Sequence, residues 1–474
     1  MSMTIVIPDG LEKLGESLKT LVTEVAGNVK TFKFGKTQDY RDVESSIAKR
    51  AAEIETNSHQ AMLQALDVDA PFVMVDGVRY RRVLRSVGNY YCMAGGMNVM
   101  HTLYRECGTH HGKTIDPVSL RVGVVGDGWL PLTAQAMAFQ LQKGTSREAE
   151  QTAREVKRLE YSRPSYERVG HLVGELYAGK HAQIEDEMIQ AFEVPSEAQS
   201  VSISIDRVSI PMEEPRKRPV GRPRKDAPKN PVYRNYRMAW AGTVTFHDCH
   251  GEALFTIRYG RMPKGDAVEL VESLVGDVLV SLGQHRPELK VVALADGAHE
   301  NWELLGAILS EHLGDRKTWQ ILDLWHVLEK LGAASRVIKK SGKSGTELER
   351  WHTMLLNSPS AASRILAELK SSGCENVLVG EKKPVHEAIT YLTYHKGRMD
   401  YASARKAGLP IGGGNVEATC KSLFELRMKR PGSRWKERTG LHVVHLRALA
   451  LSDRWSHAIH LALKPLARSV RQAA

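Results

Sequence analysis

The sequence predicts an α/β protein: a mixed β-sheet flanked by helices, with an α-helical insertion and a mainly helical N-terminal region. Helical periodicity over 9–66, alternating strand patterns from 201 and a strand–helix–strand order as far as 326 predict this class. The chain has 474 residues and is 42% hydrophobic, so it can bury more than one core. We expect two to four domains.

The N-terminal region predicts helices followed by a small β-element. Apolar residues recur three and four apart over 9–66, which is the spacing of amphipathic helices. Residues 72–92 instead alternate, and Asp76-Gly77 and Gly88-Asn89 are typical of turns between strands. We assign 1–125 to this N-terminal helical region with its β-element.

A pair of helical patterns follows, SREAEQTAREVKRL and SYERVGHLVGELY, separated by a short segment that contains Pro164. Two helices joined in this way fit a helix-turn-helix module, and they fit an ordinary helical hairpin equally well. We assign 126–198 to a helix-turn-helix-like DNA-binding region.

The second half of the chain predicts a sheet with the order β-β-β-α-β-α-β. VSISIDRVSI, RMAWAGTVTFHD and EALFTIRYG are strand patterns, and LKVVALADGA and WQILDLWHV are later strands that alternate with helices. This order is that of an RNase H-like catalytic core, with three antiparallel strands followed by parallel additions. We predict that the core is formed by two segments, 199–326 and 411–474, with a basic linker at 214–232 and a helical insertion at 327–410.

Carboxylates occupy notable places in that order. Asp206 lies inside the first strand, Asp296 ends the fourth, and Glu417 lies in the first turn of a late helix. Such a cluster can hold two Mg²⁺ or Mn²⁺ ions for in-line phosphoryl transfer. Taken singly, Asp296 fits a turn and Glu417 fits a helix N-terminus. We predict that all three are catalytic metal ligands.

Asp323 competes with Asp296 for the second position, because both follow short apolar strands. The fourth strand of this fold lies beside the first, which favours Asp296 as the neighbour of Asp206. His326 follows Asp323 by three residues, so a helical segment would bring both to one side. We predict supporting roles for Asp323 and His326, although a core histidine is the simpler interpretation of His326 alone.

Positive charge predicts a polyanionic partner. Lys and Arg number 66 against 55 Asp and Glu, which gives a net charge of +11. Within the linker, GRPRK resembles an AT-hook, whose arginines enter the minor groove, although charge runs are usually solvated loops. The predicted DNA-binding residues are Arg218, Gly221, Arg222, Pro223, Arg224 and Lys225 in the linker, and Lys421, Arg427, Lys429, Arg430 and Arg434 after Glu417.

Cysteines and the N-terminal segment exclude other classes. Five cysteines are scattered without a C-x-x-C pair, so we predict reduced thiols and no zinc cluster. MSMTIVIPDGLEKL lacks the charged and apolar regions of a signal peptide, and no apolar run approaches a membrane span. We expect a cytoplasmic, nucleoid-associated bacterial protein without a membrane partner.

Several blocks between about 75 and 458 resemble those of Kra-type insertion-sequence transposases, which are related to the Mutator-like group. They are IDRVSIPM, LADGAHENW, LDLWHVLEKL, YLTYHKGRMDYASARKAGLPIGGGNVEATCK and LRMKRPGSRW. The resemblance implies the triad Asp206, Asp296 and Glu417, and it makes DLWH the group's Asp-x-x-His signature. Arg207-Val208 departs from the usual Gly-Thr, and Gly95 replaces the second cysteine of a pair that begins at Cys92, so we predict no zinc there.

The combined expectation is a DDE transposase with two bound metal ions. It would bind the terminal inverted repeats of its element and target DNA as a dimer or higher homo-oligomer, cleave the ends and join them to the target. Two alternatives remain open at this point: another RNase H-fold nuclease or resolvase, and a transposase-derived DNA-binding protein without catalysis.

Overall fold

A computed structural model of the chain describes residues 6–33, 39–109, 111–214, 233–340 and 347–473. Contacts divide the chain into unit 1, Met1–Lys180 with Ser456–Ala474, and unit 2, His181–Trp455. The sequence-based prediction assigns all of 411–474 to the catalytic core. Ser456–Ala474 instead belong to unit 1, because the strand near the end of the segment pairs with residues 72–75 of that unit.

The elements are numbered in chain order. The α-helices are α1 (Glu12–Lys33), α2 (Tyr40–Ala65), α3 (Pro117–Val122), α4 (Pro131–Lys143), α5 (Ser146–Val156), α6 (Arg163–Ala178), α7 (His181–Gln190), α8 (Ala267–Val280), α9 (His299–Leu313), α10 (Leu324–Lys340), α11 (Glu347–Asn357), α12 (Ala361–Ser371), α13 (Pro384–His395), α14 (Tyr401–Lys406), α15 (Gly414–Thr419), α16 (Leu426–Met428), α17 (Glu437–Leu451) and α18 (Trp455–Leu463). The strands are β1 (Phe72–Val75), β2 (Val78–Cys92), β3 (Gly95–Glu106), β4 (Thr114–Ile115), β5 (Ser200–Glu214), β6 (Tyr233–His247), β7 (Ala253–Arg261), β8 (Lys290–Ala295), β9 (Thr318–Leu322) and β10 (Val470–Ala473).

Unit 1 contains an antiparallel sheet with the order β10-β1-β2-β3-β4. Asp76 and Gly77, at φ 48° and 83°, form the predicted tight turn between β1 and β2. The predicted turn at Gly88-Asn89 is wrong, because both residues lie inside β2 and pair with Val99 and Asn98. A Cβ at Gly88 would lie 2.7 Å from the ring of His101, so glycine here permits close packing within a strand.

The helices of unit 1 follow the predicted periodicity. Asp39 caps α2, and a capping box between Thr145 and Glu148 begins α5. The connection from α5 to α6 spans 157–162, and the buried face of α6 includes Tyr166, Val169 and Val173. These helices occupy the segment for which the sequence predicts a helix-turn-helix, and DNA recognition by it stays a prediction.

Unit 2 contains a mixed sheet with the order β7-β6-β5-β8-β9. β5, β6 and β7 are antiparallel, whereas β8 pairs in parallel with β5, and β9 in parallel with β8. The α/β class is therefore as predicted. Nearly every residue of β8 is buried, as expected of a parallel strand covered on both faces, here including α8 and α9 side chains.

The segment after β9 differs from the predicted strand WQILDLWHV. The strand ends at Leu322, and α10 begins at Leu324, so Trp325 and His326 lie in a first helical turn. Helices α10 to α14 occupy the segment for which the sequence predicts a helical insertion. Its buried residues, among them Leu331, Leu392 and Tyr401, belong to the same hydrophobic cluster as the sheet, so the insertion shares the core of unit 2.

In unit 2, a buried ion pair links the segment after α17 to α8. Arg454 Nη2 lies 3.1 Å from Asp277 Oδ1, and Arg454 Nη1 donates to the Tyr259 hydroxyl at 3.1 Å. That hydroxyl donates in turn to Asp277. Burial raises the pKa of Asp277 to about 6 in spite of Arg454, because desolvation of the carboxylate exceeds the attraction.

The five cysteines are free thiols, as predicted. Across the described ranges, the helices fall short of the length and apolar character needed to cross a membrane.

Candidate active site

Asp206 and Asp296 lie at the same level on neighbouring strands of unit 2. β5 and β8 run in parallel, and the last pair in their register joins Ile203 to Ala293. Each aspartate follows its member of that pair by three residues. Adjacent strands are about 4.8 Å apart, so the two carboxylates meet at one edge of the sheet.

The carboxylate of Asp206 is half-buried and its pKa is raised. Burial is the largest cause, and the negative charge of Asp296 adds to it, whereas hydrogen bonds favour the ionised form. The Arg207 backbone N–H donates to Oδ1 at 2.6 Å, and the Cys420 thiol donates to Oδ2 at 3.4 Å. Ionisation of Asp206 is therefore opposed by burial and by the neighbouring charge of Asp296.

Asp296 is held at the start of α9. Its Oδ1 accepts from the Ala298 backbone N–H at 3.1 Å and from Asn301 Nδ2 at 2.9 Å, and its carbonyl accepts from Trp302 Nε1 at 2.6 Å. The buried Asn301 amide also lies 3.5 Å from the Ile205 carbonyl. Asn301 thereby links the two aspartate-bearing strands, and these contacts leave Oδ2 of Asp296 for another ligand.

Asp323 is buried and both of its oxygens are used. Oδ1 accepts from the Trp325 backbone N–H at 2.8 Å, and Oδ2 accepts from the Gly413 backbone N–H at 2.8 Å. A Cβ at position 413 would lie 2.5 Å from Oδ2, so glycine is needed for this approach. Asp323 therefore joins the end of β9 to the segment that precedes α15.

Glu417 lies on α15, one helical turn before Cys420, which contacts Asp206. Its side chain is exposed. Among the described residues, the ligand atoms of Asp206, Asp296 and Glu417 do not all lie within 4.8 Å of one another. Like charges on these carboxylates would repel one another more strongly at a closer spacing.

Two neighbours of Asp323, Trp325 and His326, are exposed on the first turn of α10. His326 Nδ1 lies 3.8 Å from Glu329, and its positive charge when protonated lowers the pKa of Asp206. His326 is thus not a core histidine but an exposed group within electrostatic reach of the site.

Tyr391 of α13 places a buried hydroxyl beside the same edge. The hydroxyl has no hydrogen-bond partner among the residues that the structure describes. Burial raises the pKa of Tyr391, and the charges of Asp296 and Asp323 raise it further, so the group stays a neutral donor. Gly297 lies against the ring, where a Cβ would collide with it.

Arg207 turns away from the carboxylates. Its guanidinium donates to Glu300 at 2.7 Å and lies 5.3 Å from the ring centroid of Trp240. Successive side chains of a strand point to opposite faces, so the cation beside Asp206 in sequence is on the other side of β5. Arg207, which stands where the resembled family has glycine, therefore does not cover the carboxylates of Asp206 and Asp296.

Arg427 differs from our prediction of a DNA-binding residue. It is only 5% exposed, and its guanidinium packs 4.9 Å from the ring centroid of Trp435. The helix that carries it turns this face into the core, so Arg427 cannot reach a phosphate in this conformation.

The other predicted cations after Glu417 are at least partly accessible. Lys421, Lys429 and Arg434 are exposed, and Arg430 is half-buried with its Nε donating to a backbone carbonyl at 3.2 Å. Lys429 is paired with Glu425 at 2.7 Å. The predicted AT-hook lies outside the described residues: Arg218, Gly221, Arg222, Pro223, Arg224 and Lys225.

Sequence reasoning misses Asn301, Tyr391 and Cys420. Asn301 follows Asp296 by five residues, a spacing that places it in the first turn of α9, so the pattern Asp-x-x-x-x-Asn is a usable signal. Cys420 follows Glu417 by one turn, and its position beside the proposed glutamate is the signal that could have found it. Tyr391 comes from a distant helix, and no local pattern indicates its position.

Comparison with known proteins adds little. No protein-family model matches the chain, and no curated protein matches it. The chain is similar to a solved structure described as the Drosophila P element transposase strand transfer complex, with 12% identity and a TM-score of 0.34, over 68% of this chain and 92% of that chain. That TM-score is too low to carry an argument about fold or function.

Proposed function

We propose that unit 2 is an RNase H-like core that transfers phosphoryl groups in DNA with the help of divalent metal ions. More particularly, we propose that the chain is a DDE transposase of the Kra-type insertion-sequence group. The sheet order β7-β6-β5-β8-β9, three antiparallel strands followed by two parallel ones, supports the fold assignment.

One observation supports the proposal: two carboxylates, Asp206 and Asp296, lie side by side just beyond the paired part of β5 and β8, without a cationic partner among the described residues. Within the described ranges, no lysine or arginine side chain pairs with either of them or with Glu417. Adjacent, partly buried carboxylates repel, and a bound cation offsets that cost.

The donor set fits Mg²⁺ or Mn²⁺. The three proposed ligands offer only carboxylate oxygen, which hard divalent cations prefer, and the hydrogen bonds from Ala298 and Asn301 go to Oδ1 of Asp296 and not to Oδ2. Two ions held there would activate a water or 3′-hydroxyl and stabilise the leaving oxygen. The buried Tyr391 hydroxyl, which lacks a partner among the described residues, would donate a hydrogen bond to a phosphate oxygen admitted beside Asp296.

The roles of Asp296 and Asp323 separate on their hydrogen bonds. Both carboxylate oxygens of Asp323 accept hydrogen bonds from backbone N–H groups, which suits a residue that positions the Glu417 segment. In Asp296, Oδ1 accepts both hydrogen bonds, which come from Ala298 and Asn301 at the start of α9. We therefore assign metal binding to Asp206, Asp296 and Glu417, and positioning to Asp323.

DNA is the proposed substrate. The net charge of +11 favours a polyanion, and Lys421, Lys429 and Arg434 are exposed after the proposed glutamate. Arg222 and Arg224 of the linker would add minor-groove contacts. Their replacement by alanine should weaken binding to A·T-rich duplex and lower the slope of log K against log salt by about 2, at roughly 0.9 per phosphate contact.

The test is a cleavage assay on duplexes that carry the inverted repeats flanking the gene, with Mg²⁺ or Mn²⁺ and a target plasmid. Wild type should nick at the repeat ends and join them to the target. Glu417→Gln should bind the duplex as wild type does and lose both products, because the amide keeps the shape but not the charge. Glu425→Gln, an exposed glutamate on the same segment, is the matched control and should keep both products.

The outcomes separate the alternatives. Cleavage without joining would assign the chain to the nucleases or resolvases. Specific binding without cleavage, in both metals, would make it a DNA-binding protein without catalysis. Full cleavage by Glu417→Gln would remove that residue from the site. Synapsis of two ends predicts a dimer or higher oligomer on paired-end DNA, which light scattering measures.

A further inference from the structure

We propose that unit 1 holds a zinc ion between α2 and the turn that joins β2 to β3. Glu55, His59 and Cys92 each offer one ligand atom there, and these atoms all lie within 4.8 Å of one another. The three residues lie outside unit 2, so this site is independent of the proposed catalytic carboxylates.

The fold brings the three side chains together in a simple way. Glu55 and His59 are four residues apart on α2 and therefore share one face of the helix. Cys92 ends β2 and pairs with Gly95 across a loop of two residues. A Cβ on Gly95 would lie 3.9 Å from Thr56 Oγ1, so the turn rests directly against the helix.

A second segment closes over this turn. Leu159 N–H donates to the Met93 carbonyl at 2.9 Å, and the Tyr161 hydroxyl donates to the Cys92 carbonyl at 2.5 Å. Lys157 and Leu159 have φ of 51° and 59°, a backbone conformation that non-glycine residues rarely adopt. Such conformations persist where the surroundings hold them, and they concentrate at ligand sites.

Arg158, from the same segment, holds the carboxylate of Glu55. Its guanidinium donates to the two oxygens at 2.6 and 3.2 Å. A hydrogen-bonded carboxylate presents a fixed lone pair to a metal, and such outer partners orient metal ligands in known sites. The bond of 3.2 Å is the weaker one, and its oxygen is the one that we assign to the metal.

The mixed donor set selects the metal. One sulfur, one imidazole nitrogen and one carboxylate oxygen are ligands of zinc, whereas Mg²⁺ and Ca²⁺ take oxygen alone. Three protein ligands leave the fourth tetrahedral position to water. Cys92 is 1% exposed, and its thiol proton would pass to solvent as the zinc–sulfur bond forms.

This zinc site replaces the expectation from the sequence that there is no zinc at Cys92. That expectation rests on the missing second cysteine at Gly95. The structure supplies Glu55 and His59 as the other donors, from a helix more than thirty residues upstream, and a search for a cysteine pair does not include these residues.

The experiment uses the full chain with one equivalent of Zn²⁺ or Co²⁺ in excess Mg²⁺, which occupies sites made of oxygen ligands. We expect one zinc per chain by elemental analysis and a thiolate-to-cobalt charge-transfer band with Co²⁺. Cys92→Ser should lose the band, and His59→Gln should weaken binding by about 100-fold or more, beyond the 10–100-fold cost of losing an outer partner. Cys107→Ser, in the same unit but outside the cluster, should behave as wild type.

Circular dichroism confirms that each variant is folded, and His59→Gln keeps the test decisive if Cys92→Ser misfolds. The proposal is overturned if wild type gives no charge-transfer band, or if folded His59→Gln binds cobalt as tightly as wild type does. Asp206→Asn should leave the band unchanged, so failure of the zinc site and failure of the catalytic proposal are distinguishable.

Discussion

Replacing Asp206 by asparagine should stabilise the metal-free protein while removing its response to Mg²⁺. The pKa of Asp206 is raised by burial and by Asp296, so the folded chain keeps a proton that the unfolded chain has released. Stability therefore falls as pH rises from the ordinary aspartate pKa to the raised one. An amide at this position removes both the loss and its pH dependence.

The magnitude follows from the sheet. Carboxylates on adjacent strands, about 5–8 Å apart, repel by about 2–3 kcal/mol at an effective dielectric constant of 20. That energy corresponds to about 4–6 °C in the melting temperature of a unit of this size, at roughly 2 °C per kcal/mol. Solvent at the half-buried Asp206 makes this an upper figure.

The assay is thermal unfolding at pH 7.5 with EDTA and then with Mg²⁺. Asp323→Asn is the matched control, one strand further along, and should lower the melting temperature. Its oxygens accept two backbone N–H groups, and an amide nitrogen cannot accept. The reasoning would be refuted if Asp206→Asn destabilised the metal-free chain, or if that variant kept the Mg²⁺-dependent rise seen in wild type.

Further predictions concern three other contacts. Arg454→Met should destabilise unit 2 by about 3–5 kcal/mol at pH 8, measured by urea unfolding, and by less at pH 5, where Asp277 is largely protonated. Equal losses at both pH values would contradict this. Gly413→Ala should cut DNA cleavage and lower the melting temperature, because its Cβ displaces Asp323. Tyr391→Phe should leave stability within about 0.5 kcal/mol, since the hydroxyl bonds no described residue, and lower the cleavage rate. An unchanged rate would remove Tyr391 from the site.

The strands of unit 2 are predictable because their signals are local. β5 to β9 are apolar or alternating runs, and the parallel addition of β8 beside β5 follows from the strand order. The boundary between β2 and β3 in unit 1 cannot be predicted in this way, because Gly88-Asn89, inside β2, has the composition of a turn. Glycine is used there to admit the His101 ring, a contact between strands that no single stretch of sequence encodes.

The candidate site divides in the same way. The adjacency of Asp206 and Asp296 could be predicted, because it depends on which strands are neighbours and on the register of β5 with β8. The environment of Tyr391 could not, because it depends on how α13 packs beside Gly297, almost a hundred residues away in sequence. Burial of Arg427 was likewise invisible, since a basic run does not reveal which of its members faces a tryptophan.

The hydrogen bond from Gly413 to Asp323 closes a span of 90 residues at one point, and a second bond, from Leu324 N–H to the Ile411 carbonyl at 3.0 Å, lies beside it. A loop that leaves and returns through one clasp can change length at low cost, about 0.6 kcal/mol for each doubling. Evolution can therefore resize the exposed connections of the helical insertion as long as the clasp and the side chains that share the core of unit 2, such as Leu331 and Leu392, are kept. Divergent homologues should vary most in those connections and least at the aspartate and glycine that join the two ends.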